Sequence, residues 1–204
     1  SSDLGAFLTL DTTTAFRRSV SSEDGWRLNG YAAVRNGDLQ QRLFIISVDR
    51  FQSLFYRNAV LQIGAATGGI SGDNPENLGW EIGGGDSGIQ VRGYKENTIQ
   101  GRRFLELKAA ARMPVWNIQR GPGTFPFYIS SISIECFHDA ASAFQSFRQI
   151  ETADDFIQSD GIELQLNSWF AQGVFMRFSA GYARAQDRPR SEKDNFYLDM
   201  RYSF

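Results

Sequence analysis

Apolar and polar residues alternate with a period of two over most of the chain. The alternation is strictest at the end, where Phe196, Leu198, Met200, Tyr202 and Phe204 interleave with Tyr197, Asp199, Arg201 and Ser203. A period of two sends successive side chains to opposite faces of a strand, so this segment is a strand with one oily side. The same pattern runs through 162–170 and 174–182, and a tight turn near Gln172-Gly173 links them as a hairpin. Upstream, Leu105, Leu107, Ala109, Ala111 and Met113 mark another strand, and 125–139, rich in isoleucine and aromatic residues, a further one. The first third predicts strands over 4–16, 26–35, 39–51 and 55–65, separated by polar turns such as Asn36-Gly37-Asp38, for nine strands in all. Two long connections interrupt them: a glycine-rich segment over 67–100, and a polar one over 140–160 with a short helix predicted around 141–148.

Alternation alone does not say which face meets water, because a soluble antiparallel sandwich or a lipocalin-like barrel has the same period. Strand length favours a bilayer crossing: these strands run to about ten or twelve residues, against the five or six usual in globular sheets. Aromatic residues near strand ends, Trp26, Trp116, Trp169, Tyr182 and Phe204, suit interfacial girdles, and Glu163, Arg177, Asp199 and Arg201 fall on the faces opposite the apolar ones. No run of about 18 apolar residues occurs, so no helix is available to cross a membrane. The expected fold is therefore all-β, an antiparallel transmembrane β-barrel of about eight to ten strands in one domain over 1–204. An odd strand count is unusual for a single-chain bacterial barrel, which points to one misread strand or to part of a larger barrel. The start, Ser1-Ser2-Asp3-Leu4, has no basic segment followed by a hydrophobic one, as expected of a mature or truncated chain.

Composition narrows the chemistry. With 21 Lys and Arg against 23 Asp and Glu and a pI near 5.5, nothing forms a basic surface for nucleic acid. The single Cys136 excludes an internal disulfide and a cysteine metal cluster. His138 is the only histidine, so two-histidine zinc motifs are excluded, and its neighbour Asp139 faces the other side of the strand. A lipid hydrolase would have to combine His138 with Ser131 or Ser133, which share the face of Asp139 and not that of the histidine. The run Gly83 to Gly88 lacks the Gly-Lys-Ser/Thr ending of a phosphate loop, and the acidic residues Glu151, Asp154 and Asp155 match no calcium-loop spacing. The expectation is a chain without catalytic residues, cofactor or metal.

One motif sharpens this. Leu78-Gly79-Trp80, then Gly83-Gly84-Gly85-Asp86-Ser87, then Val91-Arg92-Gly93-Tyr94, resembles the glycine-rich approach and Val-Arg-Gly-Phe/Tyr tip of the sixth loop in the BamA-type superfamily of outer-membrane insertases and two-partner-secretion translocators. The order that follows also resembles that family: a strand ending in Arg112-Met113-Pro114, another ending Phe137-His138-Asp139-Ala140, then three strands to a terminal Phe204. The resemblance implies the C-terminal part of a barrel of about sixteen strands, with loop 67–100 folded into the lumen. It implies assistance to insertion or translocation of polypeptides in the outer membrane of a Gram-negative bacterium. The implied partners are the lipid bilayer and lipopolysaccharide, client polypeptides recruited by strand pairing, and periplasmic domains not present in this sequence.

An arginine at a buried loop tip needs fixed carboxylates, and the resemblance implies that they come from the strands that follow, with Asp139 at the matching motif position; counting by twos from it puts Asp139, Glu135 and Ser133 on one face. The resemblance makes Arg92–Asp139 the leading pair. The family's usual glutamate four residues before the proline is Ala110 here, leaving Glu106 on the same strand face as its substitute, and the usual glycine after the Asp-Ala pair is Ala141. The terminal strand Phe196, Leu198, Met200, Tyr202 and Phe204 resembles the C-terminal signal read by outer-membrane assembly machinery. The alternatives are a self-contained small structural or passive-pore barrel and, behind it, the hydrolase.

Overall fold

The computed structural model describes residues 2–15, 22–36, 40–54, 58–72, 79–84, 88–121, 126–145, 156–170, 173–186 and 196–203. Twelve strands are present among them: β1 (Ser2–Asp11), β2 (Gly25–Asn36), β3 (Gln41–Ser53), β4 (Val60–Gly72), β5 (Trp80–Gly83), β6 (Ile89–Gln90), β7 (Ile99–Gly101), β8 (Arg103–Arg120), β9 (Phe127–Phe144), β10 (Ile157–Phe170), β11 (Val174–Ala185) and β12 (Phe196–Ser203). Nine form one antiparallel sheet in the order β1-β2-β3-β4-β8-β9-β10-β11-β12, open at β1 and β12 and not closed into a barrel. The other three, β6-β5-β7, form a small sheet inside the connection between β4 and β8.

Several boundaries differ from the sequence expectation. Strand β9 continues to Phe144, so the first residues of the predicted helix are strand; its later part lies outside the described residues. Here Ala141, Ser142, Ala143 and Phe144 pair across to β8, and partner hydrogen bonds override the helical preference of an alanine-rich stretch. Strand β4 likewise runs to Gly72, so the long connection spans 73–102 and not 67–100. Pro114 does not end its strand, because the register between β8 and β9 shifts at Pro114/Trp116, and a bulge is where a sheet tolerates a residue without N–H. Phe204, Leu78 and Gly85 to Ser87 lie outside the described residues, as does the acidic group of 151–155.

The two ends of the sheet differ. At one, the connections 54–59, 121–126 and 171–173 are short and 12–24 is longer; at the other, 73–102, 145–156 and 186–195 are long and 37–40 is short. We call these the turn end and the loop end. The two faces differ more. The small sheet covers one face near the loop end and there builds the core cluster of Ile82, Ile89, Val91, Tyr94, Phe104, Ala141 and Ile157. Phe104 is fully buried, with Trp80 edge-on at 4.9 Å between ring centroids. Gly83 and Gly84 let the chain close on itself, since a Cβ on either would collide with the backbone of Lys95 or Tyr94.

The other face is bare and apolar. Register and alternation place Leu8, Leu28, Ile46, Ile63, Leu107, Ile134, Leu164, Ala180 and Leu198 on it, one in each strand of the sheet. Exposure there is high, 65% for Leu8 and 87% for Leu198. Among the described residues, charged side chains on this face stand at its margins: Arg42, Arg103, His138, Asp160 and Arg184 toward the loop end, and Arg50 with Asp24 toward the turn end. On β3 the eight steps from Arg42 to Arg50 cover roughly 26 Å. Arg50 lies over the Trp26 ring at 5.4 Å and pairs with Asp24 at 3.0 Å. The exposed Trp26, Trp116 and Trp169 all lie toward the turn end, while Tyr182 stacks on Phe196 at the other.

Phe104→Ala removes the largest fully buried side chain of the core cluster and is expected to cost about 3–5 kcal/mol. Chemical denaturation measures the loss, and faster proteolysis within 73–102 locates it in the loop.

Candidate functional site

Sequence register creates an electrostatic problem that the loop resolves. Glu135 on β9 and Glu163 on β10 sit directly opposite each other, and Asp139 lies two strand periods along from Glu135 on the same face. Like charges directly opposite destabilise a sheet, and all three carboxylates are at most 8% exposed at their side chains. The tip of the loop supplies the cation. Arg92 grips Asp139 side-on, Nε to Oδ2 at 2.7 Å and Nη2 to Oδ1 at 3.0 Å, while Nη1 reaches Glu135 Oε1 at 2.8 Å and Glu163 Oε2 at 3.4 Å. Its guanidinium lies 3.3 Å above the Phe137 ring centroid, and the ring in turn covers Gly161, its partner on β10, where no other side chain would leave room.

A second layer completes the site. Arg112, across from Glu135 on β8, donates from Nε to Glu135 Oε2 at 2.8 Å and again from Nη2. Gln165 donates from Nε2 to Glu135 at 3.1 Å and to Glu163 at 2.8 Å, a neutral bridge between the two acids. On β12 the Tyr197 hydroxyl donates to Glu163 Oε2 at 2.5 Å by lying across Gly181, whose missing side chain is the space that the phenol ring occupies. Three carboxylates thus face two guanidiniums and two neutral donors. Charge-assisted bonds at these distances are the strong ones, and the side-on fork to Asp139 is a geometry that lysine cannot make.

All four residues of Val91-Arg92-Gly93-Tyr94 are used. Val91 is fully buried in the core cluster, and Tyr94 donates from its hydroxyl to the Gln158 carbonyl at 2.9 Å. Gly93 has φ of 86°, and a Cβ there would stand 2.7 Å from that of Ala183. Of the anchoring partners expected from sequence, Asp139 and Glu135 are brought onto Arg92 and Glu106 is not. Glu106 pairs with Lys108 at 2.6 Å, because it lies level with Ala141, one period toward the loop end from Asp139, whereas Arg92 extends the other way toward Glu135. Sequence reasoning placed Glu163 on the correct face without assigning it a role, and missed Arg112, Gln165 and Tyr197. Only the cross-strand register brings them together.

His138 is on the bare face, where Nδ1 stands 2.7 Å from Asp160 Oδ1, its partner across β10; Ser131 and Ser133 are on the other face. Cys136 is exposed on the bare face as well. Of the expected terminal signal, Phe196, Leu198 and Met200 are exposed there, Tyr202 pairs with Met176 through the backbone, and Phe204 is outside the described residues. A comparison with protein-family models and with curated proteins finds no match for this chain.

The site ties the loop to the sheet edge, because Tyr197 and Arg201 on β12 bond Glu163 and, at 2.8 Å, Gln90 of the loop. Tyr197→Phe is expected to cost about 1 kcal/mol, because Glu163 Oε2 loses its short donor and keeps only the longer bond from Arg92. Hydrogen exchange checks it: the amides of β12 should exchange faster while those of β8 and β9 keep their protection.

Proposed function

We propose that this chain forms wall strands of an outer-membrane β-barrel of the BamA-type insertase and translocator kind. Connection 73–102 folds against the lumen, and the protein assists insertion or translocation of polypeptides at the outer membrane of a Gram-negative bacterium. The observation that carries the reading is the inversion of the sheet. Its charged and hydrogen-bonding residues, Glu135, Asp139, Glu163 and Arg112, lie beneath the loop, while the opposite face is apolar and uncharged over a height near the roughly 25 Å of an outer-membrane barrel's apolar band. In water such a face would be an aggregation surface far larger than soluble proteins carry. The aromatic residues toward the turn end and the longer connections at the other match the girdles and the periplasmic and extracellular sides of such barrels.

In this reading the work is positional and uses no cofactor. Arg92 braces the loop against the wall, and the open edges of β1 and β12 are templates on which client or neighbouring strands pair. A passive pore is the second reading. It is favoured by the polar residues Asn29, Ser47 and Asp49 on the same face of β2 and β3, where a water-filled channel would run.

Two measurements test this. Vesicles with brominated acyl chains should quench the fluorescence of Trp26 and Trp116, and absence of quenching in the folded protein removes the membrane assignment. Arg92→Ala should leave the folded protein in the membrane and impair delivery of client polypeptides. A rise in ion conductance with client delivery unchanged would favour the passive pore.

A further inference from the structure

On the face beneath the loop a third guanidinium stands near the acid cluster without bonding it. Arg177 on β11 shares the face of Glu163 and lies level with Asn167 of β10, and Arg201 of β12 is directly opposite it. Its Nε donates to Asn167 Oδ1 at 2.9 Å, and its guanidinium stands 5.7 Å from the Phe175 ring centroid. Among the described residues it pairs with no carboxylate; Arg92 and Arg112 alone bond the three acids as cations. The parts of the turn-end connections that lie outside the described residues, 16–21, 55–57, 122–125 and 171–172, contain no aspartate or glutamate.

Gln165 stands between this arginine and the acids. It lies one period from Asn167 and one from Glu163 along β10, which makes it the diagonal neighbour of Arg177, at the roughly 7–8 Å that long side chains span. Its Nε2 donates to both Glu135 and Glu163, and those two bonds fix which way the amide faces. The other end of the amide, Oε1, is buried and has no hydrogen-bond partner. A buried acceptor without a donor is costly, and a guanidinium is the donor closest to hand. Charge count points the same way: Glu135, Asp139 and Glu163 face two guanidiniums, and Arg177 brings the number level. Arg201, a like charge directly opposite, repels Arg177 from the sheet edge toward the acids.

We infer that Arg177 is the reserve counter-ion of the cluster. When the loop tip withdraws Arg92, the Arg177 side chain leaves Asn167 and donates to Gln165 Oε1, and through that amide it is coupled to Glu135 and Glu163. The move is a change of rotamer, with the backbone register of β10 and β11 kept. The three acids are then served by Arg112 and Arg177, two cations as before. Withdrawal of the loop costs its own contacts and leaves the sheet intact, so connection 73–102 is a removable plug. The inference goes beyond the proposed membrane function and holds for the sheet in detergent as in a bilayer.

The test uses the purified full chain in detergent, with denaturant unfolding of Arg92→Ala, Arg177→Gln and the pair. Arg177→Gln alone should change the unfolding constant by about twofold at most, because the loop is seated and the reserve is idle. The pair should unfold about tenfold more readily than the two single effects combined predict, whereas independent sites add. The crystal structure of Arg92→Ala, or of Arg92→Met if the alanine variant does not fold, should show the Arg177 guanidinium within hydrogen-bond distance of Gln165 Oε1. Additive losses overturn the proposal, and so does a guanidinium still on Asn167, which would mean coupling through charge alone. Failure of both Arg92 variants to fold overturns it too, as does an Arg177→Gln loss as large as that of Arg92→Ala, which would make Arg177 part of the seated cluster. None of these outcomes depends on insertion into a bilayer, so the membrane reading stands or falls separately on the tryptophan quenching.

Discussion

Three acids on adjoining strands, Glu135, Asp139 and Glu163, cannot share one buried patch of sheet without a cation, and the cation that reaches all three comes from outside the sheet. The loop therefore relieves the charge of the sheet as much as the sheet seats the loop. Removing one member of a buried ion cluster costs more than the cluster contributes, because the remaining charges stay desolvated. The apolar contacts of Val91, Ile82 and Phe104 hold the loop at the right height, and Arg92 sets where its tip points. Arg112 and Gln165 then place the remaining oxygens, so that each glutamate meets donors from two directions.

Most of the fold was legible in period and much of the site in motif. The nine strands of the main sheet correspond to nine alternating segments; the motif's resemblance pointed Arg92 to Asp139, and counting by twos from there put Glu135 on the same face. What was not legible is what depends on pairing between strands. Glu163, Tyr197 and Arg112 are distant in sequence from Arg92 and meet at one point only because β8 through β12 adopt a particular register, which the long connections do not encode locally. The small β5-β6-β7 sheet was hidden for another reason: strands of two to four residues are too short to show a period. Glu106 shares the face but stands level with Ala141, one period from Asp139 toward the loop end, so it meets Lys108 and not Arg92.

Glycine has a consistent use in the sheet. Phe137 lies over Gly161, Tyr197 over Gly181, Phe104 over Gly68 and Phe44 over Gly69, in each case across one strand pair. An aromatic ring laid flat over a bare backbone position fixes its own orientation and screens the hydrogen bonds beneath it. Two of these rings carry site chemistry: Phe137 supports the guanidinium of Arg92 and Tyr197 carries the hydroxyl that reaches Glu163.

The parity of the sheet constrains how it can be completed. Every neighbouring pair in the main sheet is antiparallel, so with nine strands β1 and β12 point the same way. Joining them directly would make a parallel seam, the slightly weaker pairing per residue. Two copies joined in a ring with their strands running alike would carry such a seam at each joint. A cylinder that is antiparallel all the way round therefore has an odd number of other strands between β12 and β1.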